Sequence, residues 1–350
     1  MMNKNKYIII IFFTIIVKIN AESPGRFLQL QTGAKNNGLG GAYEAVVKDP
    51  SSLFINPAGL ANINGDTKMI ERTVVSSKTD EPFNEDPFSV FNETTDEKNN
   101  TKDEKEVQIQ SAERPFEFQF YNGFSQLTLD RQVVSTAVGF TAFGGTLGAG
   151  ATGTRVQGIE GYDSQGNMTE KLSYQAMAAF LGFAYENGSS RLGISVNGLQ
   201  ENIGKNDISG GALNAGFQIS PLPFIDAGAS IQNLAGMIQS NTIEKNKYEK
   251  LDTIFSASLG VKTLPPKSNI LLLASIKYNI DADENSESLS YNLGAALSIN
   301  KYAYLMGGIS NGDIAAGIGF NINFIQAAYS INKDPLHTGY QHFIDLNFVY

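Results

Sequence analysis

The sequence predicts an all-β fold: a transmembrane antiparallel β-barrel of about fourteen strands, with an N-terminal hatch of short helices inside the lumen. Three observations predict it. Beyond residue 21, no apolar stretch approaches the roughly 18 residues that a membrane helix needs. From Pro115 to Tyr350 the chain is a series of short segments in which oily residues occupy every second position. The clearest of these run nine to eleven residues, whereas soluble strands average about 5–6 and a tilted membrane-crossing strand needs about 9–11.

The elements follow in chain order. Lys4 and Lys6 precede an apolar run from Tyr7 to Val17, and Ile19-Asn20-Ala21 ends on a small residue. This reads as a secretory signal peptide over 1–21, too short to span a bilayer. Residues 22–66 are rich in Gly, Asn and Pro and form the hatch. Asp49 can cap a helix with Pro50 at its first position, and Asn56 can do the same with Pro57. Such short helices are not stable alone and need a container. The barrel is placed at 67–350, with a first candidate strand at 68–76. Residues 79–113 carry eleven acids against Lys98, Lys102 and Lys105. A stretch so charged and so poor in apolar residues cannot offset its ordering entropy, so 79–114 is expected to be a mobile extracellular loop.

The wall itself is legible in its alternation. Leu289, Tyr291, Leu293, Ala295, Leu297 and Ile299 share one face, and Ser290, Asn292, Gly294, Ala296 and Ser298 the other. Ile314 to Ile322, Ile270 to Ile280 and the last ten residues repeat this, the last with Ile344, Leu346, Phe348 and Tyr350 opposite Phe343, Asp345, Asn347 and Val349. Further candidate strands lie near 116–129, 133–143, 172–185, 191–200, 208–219, 224–233, 253–262, 302–309 and 323–331. An even count suits bacterial barrels. Asn187-Gly188 and Asn311-Gly312 signal tight hairpins. With no Trp in the chain, any interfacial girdle rests on Tyr and Phe. Lipid therefore lies outside, so Leu293→Arg should be costly and Asn292→Arg nearly free.

Residues 38–61 carry a resemblance. Gly40-Gly41-Ala42-Tyr43, an Asp-containing turn at Asp49-Pro50, and Asn56-Pro57-Ala58-Gly59 resemble the N-terminal hatch of FadL-type outer-membrane transporters. They are more closely similar to the PorV/PorQ proteins and their spirochaete relatives. Ile231 to Gly236 looks like a recurring mid-barrel strand end. The resemblance implies an outer-membrane barrel closed by a hatch, with those ten residues as gate candidates. In FadL-type proteins the hatch gates hydrophobic molecules such as long-chain fatty acids, which leave sideways through the wall. In PorV-type proteins the barrel serves protein export or surface assembly, and secreted proteins would be partners. In either case the C-terminal strand ending at Tyr350 is the expected signal to the barrel-assembly machinery.

Enzyme motifs fail on context. Gly308-Ile309-Ser310-Asn311-Gly312 matches a nucleophile elbow but lies between two strand-like runs instead of feeding a helix. Gly148 to Gly153 matches a dinucleotide fingerprint that no amphipathic helix follows. Asp281, Asp283 and Asn285 begin like a calcium loop, but Ser286 and Asn292 stand where Gly and Glu are required. His337 and His342 cannot build a three-His site. With no cysteine and a net charge of −9, thiolate metal sites and nucleic-acid partners are excluded. No cofactor is expected.

Overall fold

The computed structural model describes residues 25–30, 32–64, 117–162, 167–204, 206–241, 247–263, 269–282, 288–333 and 339–350. The signal segment 1–21, the candidate strand 68–76, the acidic stretch 79–114, Asp283, Asn285, Ser286 and His337 lie outside the described residues.

Fifteen strands occur among the described residues: β1 Phe118–Gln126, β2 Gln132–Ala142, β3 Gly145–Tyr162, β4 Met168–Asn187, β5 Ser190–Ile203, β6 Asn206–Leu222, β7 Ile225–Asn241, β8 Lys247–Lys250, β9 Ile254–Lys262, β10 Ile270–Asn279, β11 Leu289–Ser298, β12 Ala303–Ser310, β13 Asp313–Ile322, β14 Ile325–Lys333 and β15 Tyr340–Val349. All but β8 form one closed antiparallel ring of fourteen. β15 returns to β1 from Gln119↔Val349 to Gln126↔His342, and β7 turns from β6 on one side to β9 on the other. Closure leaves no open edge in hydrocarbon, where an unpaired backbone group costs several kcal/mol. The short β8 pairs only with the far end of β7, from Met237↔Lys250 to Ser240↔Lys247.

The ring has the expected fourteen strands, and one of them, β3, is a strand that the sequence reading passed over. β3 was missed because Gly145 to Gly153 carries few side chains that mark a face, and alternation needs side chains to be visible.

Burial is inverted relative to a soluble protein. Leu293, Ile314, Leu272, Ile276 and Ile344 are all exposed, whereas Asn292, Asp345, Asn347, Ser275 and Ser330 are buried. An oily exterior on a closed sheet is stable only against hydrocarbon. Tyr and Phe form the expected girdles. Phe118, Phe324 and Tyr350 cluster at one rim, with ring centroids 5.9 and 6.4 Å apart; exposed Tyr248, Tyr278, Tyr291 and Tyr340 mark the other. Two-residue links such as Phe143-Gly144 and Asn323-Phe324 close the Tyr350 rim, while β3 to β7, at 14 to 20 residues, reach past the opposite rim. Both Asn-Gly hairpins form. In one, Asn311 and Gly312 take φ 48° and 97° at the two corners; in the other the corners are Gly188 and Ser189, a register one residue later than the motif suggested.

The hatch fills the ring. It comprises a 3-10 turn Arg26–Gln29, α1 Ala34–Gly38, α2 Ser52–Ile55 and a 3-10 stretch Pro57–Asn64. α1 packs on β12 to β15, and Pro57–Asn64 packs on β2 to β6. Leu53, Leu60 and Ile63 are fully buried against the wall, together with Ala178 and Phe180.

Candidate functional site

All ten gate candidates lie in the lumen and are buried: Gly40, Gly41, Ala42, Tyr43, Asp49, Pro50, Asn56, Pro57, Ala58 and Gly59. The Asn56 cap forms as predicted, whereas the N-cap position of α2 falls on Ser51, whose side chain makes no capping bond, and Asp49 closes the turn before it. An Asp49 carboxylate oxygen accepts the Ser51 N–H at 3.0 Å and the Ser51 hydroxyl proton, holding the turn that leads into α2. Asn56 Oδ1 accepts the Ala58 N–H at 3.2 Å, with Pro57 between them where a missing N–H costs nothing. Gly40 and Gly41, with φ 64° and 83°, turn the chain out of α1, and Gly41 N–H donates to Asn36 O at 2.8 Å.

One side of the hatch is held by charge. α1 begins at Gly33, which has no side chain to cap it. Its cap comes instead from the wall: Asp345 of β15 accepts the Lys35 N–H at 3.1 Å and also that of Ala34. The other Asp345 oxygen takes the Tyr121 hydroxyl of β1 at 2.8 Å. Lys35 Nζ then reaches Asp49 Oδ2 at 3.1 Å and Gln326 Oε1 of β14 at 3.0 Å. One lysine thus links α1, the α2 turn and the wall. Burial works against the Lys35 charge, but the carboxylates of Asp49 and Asp345 beside it more than offset this and hold the ammonium well above its ordinary range. Burial pushes the Tyr43 phenol up, so it stays neutral.

The other side is held by amides. Asn56 Nδ2 lies within 3.2–3.4 Å of three carbonyls: Glu44 of the hatch, Phe217 of β6 and Ala229 of β7. Gln218 Nε2 donates to Glu44 O at 2.8 Å, and Gln232 Nε2 donates to Ile55 O at 2.9 Å and Phe54 O at 3.3 Å. These contacts sit beside a defect in the wall. Between Ala215↔Ile231 and Gly211↔Met237, β7 spends two residues more than β6, and Asn233 and Ala235 adopt φ 58° and 53°. On the opposite side, β9 pairs with β7 only as far as Gln232, and β8 resumes at Met237. Side chains patch the interval: the Asn233 N–H donates to Asn214 Oδ1 at 2.9 Å, and Asn233 Nδ2 to Asp252 O at 3.1 Å. The Ile231 to Gly236 stretch, expected as a strand end, is a double bulge in the middle of a strand.

A cavity of about 220 Å³ lies against the hatch. Leu30, Phe54, Ile55 and Ile254 supply apolar lining, while Ser256, Ser288, Ser290, Ser310 and Asn279 supply hydroxyls and amides. Lys277 of β10 enters it and meets Glu44 Oε1 at 3.4 Å. Asn292 bridges Ser275 and Ser310 at 3.2 and 2.8 Å.

No protein-family model matches the chain, and no curated protein matches it. Solved structures do. The CymD monoaromatic hydrocarbon channel covers 91% of this chain and 97% of its own, at 9% identity and a TM-score of 0.55. The toluene transporter TodX of P. putida covers 91% and 96%, at 10% identity and 0.51. The toluene transporter TbuX of Ralstonia pickettii covers 91% and 97%, at 11% and 0.50. The chain has the fold of these barrels.

Sequence reasoning found the hatch motif but not its receptors. A Cβ on Gly216 would collide with Asn56 Oδ1, and one on Gly308 with the Gly40 backbone. These wall glycines are sockets for the two halves of the hatch, and only the fold brings socket and plug together. Asp345 and Gln232 gave no signal either, since an isolated polar residue on a lumen face is ordinary. Ser310 stands at a hairpin and His342 on the outer wall against the Tyr329 hydroxyl at 2.8 Å; Gly148 to Gly153 is wall. Asp281 binds Lys250 Nζ at 2.7 Å.

Proposed function

We propose that the chain is an outer-membrane channel that admits hydrophobic small molecules, with the N-terminal hatch as its gate. The observation that carries this reading is the coincidence of wall defect and hatch anchor. In hydrocarbon, irregular backbone persists only where protein covers it, and here the cover includes Phe54, Ile55 and Asn56 of the hatch. Withdrawing those residues removes the inner support of the β7 bulge. A path would then lead from the lumen to the outside of the wall, where Leu234 and Met237 already stand exposed. An apolar solute could leave along it without crossing water.

Short turns mark the periplasmic end of bacterial barrels, so the Tyr350 rim is placed there. The reading keeps removal of 1–21 on export and recognition of the last strand by barrel-assembly machinery.

The test is uptake of toluene and of a long-chain fatty acid into liposomes carrying the purified barrel. Uptake of either above that of protein-free liposomes is expected, and faster uptake by Asn56→Ala, whose hatch has lost its anchor. Rates no higher than in protein-free liposomes for every apolar solute would overturn the reading. Co-purification of secreted proteins in that case would favour the export role.

A further inference from the structure

Taking the channel reading as its basis, we infer that the lumen cavity selects uncharged amphiphiles that donate a hydrogen bond, such as phenols and short alcohols, over bare hydrocarbons and over carboxylates. The cavity is not an oily pocket. Its hatch side is partly apolar, at Leu28, Leu30, Phe54 and Ile55, while its wall side carries serines and asparagines from β9 to β12. Two of its lining residues hold buried acceptors without a hydrogen-bond partner among the described residues: Glu44 Oε2 and Asn36 Oδ1. Glu44 is 1% exposed and Asn36 4%. A buried acceptor left unpaired is costly, most of all on a charged group, so both await a donor.

The chemistry of that donor follows from the neighbours. Lys277 faces Glu44 Oε1 at 3.4 Å, so the pair is neutral and the spare oxygen can take one more hydrogen bond. A neutral O–H supplies it. A carboxylate ligand supplies no donor and sets a second anion beside Glu44, and an ammonium meets the Lys277 charge. A bare hydrocarbon leaves both acceptors unpaired. Size permits a single ring with a short tail: the cavity measures about 220 Å³, and a dry cavity of about 150 Å³ already holds benzene.

The experiment measures binding to the full barrel in detergent by calorimetry, with 4-propylphenol, propylbenzene and 4-propylbenzoate as size-matched probes. We expect the phenol to bind about ten-fold tighter than either, the size of one charge-assisted hydrogen bond. In Glu44→Gln that preference should shrink several-fold, with propylbenzene affinity unchanged. Propylbenzene or propylbenzoate binding as tightly as the phenol in the unmodified protein would overturn the inference while leaving the channel reading standing. Binding of none of the three would overturn the inference, and failure of uptake in the liposome assay would separately remove the channel. The ranking in the unmodified protein decides the matter even where the variant does not fold.

Discussion

Leu293 and Asn292 are neighbours in sequence and stand on opposite sides of the wall. Leu293 is 51% exposed and Asn292 2%. Leu293→Arg is expected to cost roughly 2–4 kcal/mol at mid-membrane, measured by urea unfolding in lipid vesicles. The matching substitution at Asn292 is not the free change that alternation alone suggests, because the hatch packs against that face and Asn292 already bridges two serines. The proper control is Ser290→Arg, which enters the cavity and should cost well below that range. Equal costs at 290 and 293 would contradict the assignment of faces. The sequence therefore told which residues meet lipid, since the bilayer acts on every second position alike. It could not tell that the inner face is packed, since that depends on a plug more than two hundred residues away.

At the scale of elements, the parts that announced themselves are those stabilised locally. The Asp49-Pro50 and Asn56-Pro57 turns were legible because each side chain and the N–H it binds lie within three residues. The Asn311-Gly312 hairpin was legible because positive φ at a corner is a local demand. α1 was not, because its cap is Asp345, 310 residues from Lys35. β3 was not, because glycine and alanine hide its faces, and the β7 bulge was read as an end because its irregularity is the mark of an end. Asp345→Ala tests the long-range cap. It should cost roughly 1 kcal/mol for the lost cap and a further 1–3 or so for the unpaired Tyr121 hydroxyl. Amide exchange at Ala34 and Lys35 should accelerate while exchange in β1 to β15 is unchanged. Unaltered protection in α1 would show that wall contacts other than Asp345 hold it. Gly216→Val tests the opposite half: the new side chain must displace Asn56, so single-channel conductance in a planar bilayer should rise. An unaltered, closed barrel would show that Asn56 is not a bolt.

At the scale of the molecule, two facts of different kinds meet. One is a closed wall with oil outside, which follows from pairing every backbone group in a medium without water. The other is a polar lumen filled by its own N-terminal segment, tethered by the Lys35 charges on one side and the Asn56 amides on the other. Tethers made of hydrogen bonds and ion pairs can exchange with water when the segment moves, whereas an all-oily plug would resist leaving. The central claim is that this segment moves to admit solute. The chain has no cysteine, so a single engineered crosslink can test it. Gly38 lies in α1 and Met306 on β12, and a Cβ on Gly38 would lie 3.4 Å from that of Met306, close to the separation of about 3.5–4.5 Å that a disulfide spans. In liposomes carrying Gly38→Cys/Met306→Cys, toluene uptake should fall to the rate of protein-free liposomes on oxidation and recover on reduction. Uptake that proceeds equally with the bond formed and broken would contradict the claim.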